Sequence, residues 1–485
     1  MNEETLTVGN EKFVIPVSIS IGILIGSALG WLSIYSSEIE VLAFSLGLLL
    51  LGLSFYKPLW GLLILIGFFL APGLFNTPEV TPLETFWGVL FAAGFGGALA
   101  RAFFEKKKLL LPLREESFLW GALFFLLWGA ISLLVTFREG EKLIWWLRKY
   151  VDFVGYFLIF WVVWCISEKK ENWIKILLSL FFFVGIVKGV QQLIWYYYHF
   201  PEAITGNDFQ LLRRGAYAEF FGFPGSILAM CFYLNSKMRR EKIFYGVLIL
   251  FFLLLLGLSL TRSIWLGFGI SLLVLLIGFK GLRAGVARVL ASFLLFVGAI
   301  LGGTFFFQRG SVIYLFHWIN VRFLSSFKLQ FDVSLLDRLA EWKSLWALSW
   351  QRPFLGHGIG GGFTFYSVNP WSWIEEGGIG RVTVRYSHNL YLYLFYTLGI
   401  VGLFLFLFMI FGVLKTTRKI WNKTEDPFAK AYCAALFSIC IGFLVTAITC
   451  PIFMGKTNTV LIGLLMGIVA VLNRKILVGE ERHRT

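Results

Sequence analysis

Tyr386-Ser387-His388-Asn389-Leu390-Tyr391-Leu392-Tyr393 marks the place where a long polar loop, residues 307–387, runs into an apolar segment, residues 388–414. Another apolar segment, 285–306, leads into the loop. Each approaches or exceeds the roughly 20 residues of helix that span the hydrocarbon core of a bilayer. The loop therefore joins two membrane helices, and the histidine at its end sits at a water–lipid boundary. This places a basic, His-containing site at one face of an otherwise apolar protein. Such a setting suits chemistry on a lipid-linked anionic substrate.

Composition agrees with that reading. The 485 residues are 58% hydrophobic and 15% charged, with a mean hydropathy of +0.78. A soluble domain cannot hide so much apolar surface, so the chain is a polytopic membrane protein. Its 53 Phe are too many for packing alone and place much aromatic mass against lipid. A net charge of +15 would suggest nucleic acid in a soluble chain. Here most Lys and Arg fall in short loops, where they set topology, and no nucleic-acid partner is implied. Cys165, Cys231, Cys433, Cys440 and Cys450 lie in or at the end of apolar segments without ligand spacing, so neither a metal nor a disulfide framework is indicated. The N-terminus lacks a small-residue cleavage site, and the apolar run from Phe13 reads as a retained helix.

Apolar runs occur at 13–35, 41–56, 58–75, 82–104, 117–137, 150–166, 173–198, 217–236, 243–260, 263–279, 285–306, 388–414, 428–450 and 457–472. They predict an all-α polytopic fold of about 12–14 transmembrane helices with one large, helical extracytoplasmic loop. Residues 1–306 then form the N-terminal helices, 307–387 the loop, and 388–485 the C-terminal helices and a tail. Alternate short loops carry the cations, among them Lys106, Lys107 and Lys108, then Lys237, Arg239 and Arg240, then Lys415, Arg418 and Lys419. The positive-inside bias makes these loops cytoplasmic, with both termini inside and loop 307–387 outside.

Cations on the opposite side stand out: Arg138, Lys142, Arg148, Lys149, Arg213, Arg214, Arg262 and Lys456. A cation on the disfavoured side, close to apolar segments, is a functional candidate. Snorkelling or a local carboxylate pair is the alternative for any one of them. Arg213, Arg214, Arg262 and Arg338 together make a candidate anion clamp, because guanidinium forks grip phosphate oxygens in pairs. No DxD-type acidic motif accompanies them, so neither a metal nor another cofactor is called for.

Within the loop, Ser334-Leu335-Leu336-Asp337 followed by Arg338–Trp346 reads as a capped amphipathic helix ending before Pro353. Its Leu and Trp side chains suit a membrane surface. Gly356-His357-Gly358-Ile359-Gly360-Gly361 formally fits GxGxxG, but no βαβ unit surrounds it. It reads as a backbone turn packed closely against a phosphate or a neighbouring helix. His388 is the leading candidate for a general base, since a neutral imidazole can take a proton from a hydroxyl. His357 has a similar claim in the glycine-rich turn, and Asn389 stands beside His388.

Several of these stretches resemble the bacterial O-antigen ligases and their relatives, the O-antigen polymerases and protein O-oligosaccharyltransferases. They are Arg338-Leu339-Ala340-Glu341-Trp342, Pro353-Phe354-Leu355-Gly356-His357-Gly358-Ile359-Gly360, Ser387-His388-Asn389-Leu390-Tyr391-Leu392 and Leu398-Gly399-Ile400-Val401-Gly402. Arg214-Gly215 and Leu260-Thr261-Arg262-Ser263 are similar as well, so the ordered resemblance covers roughly 210–402. It implies glycan transfer from an undecaprenyl-pyrophosphate-linked donor to a sugar of lipid A–core. It also implies that His388 is the base and that Arg214 and Arg262, with Arg338 as a weaker assignment, hold the pyrophosphate. Which of Arg213 and Arg214 points inward is left open. A polymerase or a protein O-oligosaccharyltransferase would differ only in the acceptor. A lipid or polysaccharide transporter is the competing class, but it would place charges near the bilayer midplane on paired broken helices.

Overall fold

A computed structural model of the chain describes residues 38–68, 82–104, 116–166, 172–205, 219–291, 333–367 and 380–484. The chain divides into two compact units, Met1–Leu109 and Leu110–Thr485. In the first, α1 (Glu38–Tyr56), α2 (Pro58–Phe68) and α3 (Pro82–Phe104) occupy three of the expected apolar runs. The run at 13–35 lies outside the described residues.

In the second unit, α4 is Ser117–Arg138, α5 Leu143–Val154, α6 Phe157–Cys165, α7 Asn172–Thr205, α8 Glu219–Asn235, α9 Arg239–Leu258 and α10 Arg262–Gly278. After the loop region come α11 (Val333–Ser349), β1 (Phe363–Tyr366), β2 (Arg381–Val384), α12 (Leu390–Lys423), α13 (Pro427–Thr446) and α14 (Lys456–Arg484). The protein is mostly helical and multi-pass. Among the described residues six helices are long and apolar enough to cross a membrane, or seven if α10 and its continuation Lys280–Ala291, bent by 104°, form one span.

The structure adds detail to this reading in two places. The run at 150–166 is not one continuous helix, because the chain breaks between α5 and α6. A Cβ on Gly155 would stand 2.2 Å from the Val460 nitrogen, so the backbone of α14 presses into the break. The loop is also not purely helical. β1 and β2 pair antiparallel, with Phe363 opposite Val384 and Tyr366 opposite Arg381. Leu345 of α11, Phe363 and Phe365 of β1, and Tyr396 of α12 form a small buried core that seats the loop on the bundle.

The loop and the bundle are joined at a break in α12. Gly399 has φ +67, which interrupts helical hydrogen bonding within a membrane-length helix. Every backbone group freed there needs a partner. The turn Pro353–Gly358 supplies most of them. His357 N donates to Tyr396 O at 2.8 Å, Gly358 N to Thr397 O at 2.9 Å, and Ile400 N to Pro353 O at 2.7 Å. Trp128 Nε1 on α4 donates to Leu398 O at 2.9 Å. The glycine-rich turn is thus packed against a neighbouring helix, one of the two settings expected for it.

Gly399 admits no side chain, since a Cβ would lie 2.1 Å from Phe354 O. A non-glycine residue in this left-handed conformation alone costs about 1–3 kcal/mol, and the clash with backbone adds to it. Gly399→Ala is therefore expected to lower the melting temperature of the purified protein. Gly257→Ala is the matched control, because nothing lies within 4 Å of its Cβ position and Ala is the better helix former by roughly 0.5–1 kcal/mol. A Gly399→Ala protein as stable as Gly257→Ala would show that the break is not required.

Candidate active site

Glu341 sits on the buried side of α11, in phase with Leu345 and Ser349 one and two turns on. It is only 3% exposed. A buried carboxylate is tolerated only with strong partners, and all of its partners come from the stretch before α12. Ser387 Oγ donates to Glu341 Oε1. The His388 backbone N donates to the same oxygen at 2.9 Å. His388 Nδ1 lies 2.8 Å from Oε2.

A carboxylate can only accept, so Nδ1 carries the proton. In the neutral ring this leaves the Nε2 lone pair directed away from Glu341. The His388 side chain is 36% exposed, which makes Nε2 reachable by a substrate. A base fixed in one tautomer by an acid behind it is the arrangement that makes a positioned imidazole effective. Tyr386 closes one side, its ring edge-on to His388 with centroids 5.6 Å apart. Burial, and then the Glu341 and Asp337 carboxylates, raise the pKa of the Tyr386 hydroxyl, so it stays a neutral donor. Lys149 on α5 places its Nζ 6.0 Å from the Tyr386 ring centroid.

Arg262 lies at the same end of the bundle. It is the first residue of α10, where helix N–H groups and the macrodipole favour an anion. Thr446 Oγ1, at the end of α13, donates to Ser263 O at 3.2 Å. The next residue, Ala447, accepts from Leu390 N at 3.0 Å. The start of α10 and the start of α12 are thus tied to one helix end. The turn before α10 is strained, because buried Leu260 has φ 52. Ser259 Oγ donating to Leu256 O at 2.8 Å and Trp265 Nε1 donating to the same oxygen at 2.7 Å hold it in place. Strained backbone of this kind collects at functional sites.

Residues 246–407 match the family model for O-antigen ligase. That stretch is similar to the O-antigen ligase family. The match takes in Arg262, Arg338, Glu341, His357, His388 and Asn389. No curated protein matches the chain.

The expected site residues, inside this stretch and outside it, have different settings. His388 is at the mouth of the site and Arg262 at the same bundle end. Arg338, partly buried, precedes Glu341 by three residues on α11 and so lies on a neighbouring face of that helix. Asn389 Oδ1 accepts from Leu392 N at 3.1 Å and caps α12. His357 Nε2 lies 3.1 Å from Leu348 O, its Nδ1 is 3.8 Å from Glu139, and its ring stacks on Tyr396. Both of its ring nitrogens thus face protein groups. Arg213 and Arg214 lie outside the described residues.

Sequence reasoning passed over Glu341 and Ser387. The available signal was an acid in phase with the buried stripe of an amphipathic helix, which demands a partner. It also passed over Arg385. That guanidinium pairs with Glu141 at 3.1 Å and lies 4.2 Å from the Trp145 ring centroid, fastening the loop to the α4–α5 turn. Lys188, 8% exposed on α7, was missed as well.

Both Glu341 oxygens are engaged by Ser387 and His388, which suits Glu341 to positioning the His388 ring. Glu341→Gln, which keeps the shape but cannot hold an Nδ1 proton with charge, is expected to lower kcat by about 10-fold or more with KM little changed. The measurement is steady-state transfer at matched protein, with melting temperature recorded alongside. An unchanged kcat would remove Glu341 from the positioning role.

Proposed function

We propose that the chain is an O-antigen ligase, a membrane glycosyltransferase working at the periplasmic face of the bacterial inner membrane. The donor is an undecaprenyl-pyrophosphate-linked polysaccharide and the acceptor a sugar hydroxyl of lipid A–core. The observation that carries the reading is the His388 imidazole, held by buried Glu341 through Nδ1, with Nε2 open at the same bundle end as Arg262.

His388 Nε2 takes the proton of the acceptor hydroxyl. The hydroxyl oxygen forms a bond to the anomeric carbon, and the bond from that carbon to the pyrophosphate oxygen breaks. Undecaprenyl pyrophosphate leaves with the electron pair, and its added negative charge is met by Arg262, with Arg214 and Arg338 as further donors of the clamp. One displacement inverts the anomeric centre. The pyrophosphate is already a good leaving group, so alignment and proton removal suffice. The loop 307–387 brings in the acceptor from the aqueous side. The charged groups around His388 gather at one bundle end, which favours transfer at a surface over passage through the bilayer.

The acceptor and the metal requirement are tested together. Purified protein is given donor in excess EDTA with lipid A–core, a second lipid-linked glycan or a protein acceptor in turn. Transfer to lipid A–core alone, undiminished by EDTA, is expected. Chain extension on the lipid-linked glycan would make the protein a polymerase. Transfer to the protein acceptor would make it an oligosaccharyltransferase. Loss of transfer in EDTA that magnesium or manganese restores would overturn the metal-independent route.

A further inference from the structure

A cleft of about 660 Å³ opens at the other end of the bundle. It lies where α7 and α9 begin, α8 ends and α13 begins. The 20 residues of α13 start at this cleft and finish at Thr446 beside the candidate active site. At 1.5 Å per residue they separate the two places by roughly 30 Å. The cleft is therefore no part of the transfer site, and the inference drawn from it does not depend on the transfer reaction.

Its floor is aromatic. Phe232 lies between Tyr245 and Phe428, with ring centroids 5.4 and 5.2 Å away, and Phe182 approaches Tyr245 at 6.3 Å. Its walls are open to the surroundings, with Phe183 54% and Phe244 53% exposed on α7 and α9, two helices of membrane-crossing length and apolarity. On helices that cross a bilayer, such walls belong beside acyl chains and the helix ends around the mouth beside headgroups.

The charge at the mouth is selective. Glu241 already accepts from Ser236 Oγ, and Asp426 accepts from Phe428 N at 3.1 Å as the cap of α13. Lys175 and Lys237 line the same mouth. Among the described residues neither is paired with a carboxylate. Lys175 instead holds its Nζ 5.9 Å from the Phe428 ring centroid. The cleft thus presents two ammonium groups above an aromatic slot, while its own carboxylates, Glu241 in the first turn of α9 and Asp426 at the cap of α13, lie against helix N-termini whose partial positive charge offsets them.

We propose that this cleft binds one anionic glycerophospholipid of the adjacent leaflet, with an acyl chain along the aromatic floor and the phosphate between Lys175 and Lys237. A water-soluble anion would have no use for the slot, and a neutral lipid none for the lysines.

The test uses the full-length protein in mixed micelles with phosphatidylglycerol that carries a photoactivatable acyl chain. Labelled peptides are mapped by mass spectrometry. Labelling is expected on the peptides holding Phe183 and Phe244. It should fall on the order of 10-fold in Lys175→Gln/Lys237→Gln, since each cation near an anionic headgroup favours binding severalfold. Lys280→Gln/Lys415→Gln removes the same charge from positions outside the cleft and should label like the parent. Two results would overturn the proposal: equal labelling by phosphatidylethanolamine or diacylglycerol carrying the same chain, and an equal loss in both double variants.

Discussion

His388→Ala is expected to transfer glycan about 10²–10⁴-fold more slowly than the parent protein, the contribution of a positioned general base. The geometry makes the loss specific. Glu341 turns the ring so that one nitrogen is committed and the other is open. The neighbouring Ser387 and the His388 backbone keep their hydrogen bonds to Glu341 after the ring is gone, so the protein should fold and still bind donor. His357→Ala is the informative comparison. Its ring is wedged between Leu348 O and Tyr396, so its removal is expected to lower the melting temperature and to cost less rate. The check is the transfer rate of both variants at matched expression, with donor binding measured separately. Normal transfer by His388→Ala alongside loss in His357→Ala would assign the base to the wrong histidine.

Arg262→Ala is expected to lose a comparable amount by another route. Two charge-assisted hydrogen bonds to a pyrophosphate, at about 1.5–3 kcal/mol each, amount to roughly 10²–10⁴-fold in rate. The first turn of α10 adds a favourable helix end, and the strained turn at Leu260 fixes where that end points. Arg262→Lys should recover little, because an ammonium lacks the planar fork. Donor binding should weaken with the rate, which separates this variant from His388→Ala. A well-expressed Arg262→Ala protein with near-normal transfer would take Arg262 out of the site.

Much of the bundle was legible because hydrophobic length is a one-dimensional signal. α4, α8, α9 and α10 begin and end within a few residues of their apolar runs, and α11 followed from its amphipathic pattern. What was not legible depends on contacts far apart in the chain. The break between α5 and α6 is set by Val460, some 300 residues on. The break at Gly399 is completed by Pro353, His357 and Gly358, so two separate motifs describe one joint. The candidate base could be named from its place at a loop end. Its partner could not, because Glu341 reads as one more polar residue on an exposed helix until the fold buries it against Ser387 and His388.

The claim that His388 is the base is tested most directly by chemical rescue of single-turnover transfer. Purified parent and His388→Ala proteins are preloaded with lipid-linked donor and mixed with lipid A–core, with and without free imidazole. Imidazole in the space left by the ring supplies the missing proton acceptor, so it should raise the slow His388→Ala rate and leave the parent rate unchanged. A His388→Ala rate that imidazole does not raise, with donor bound as in the parent, would contradict the assignment and place the base elsewhere.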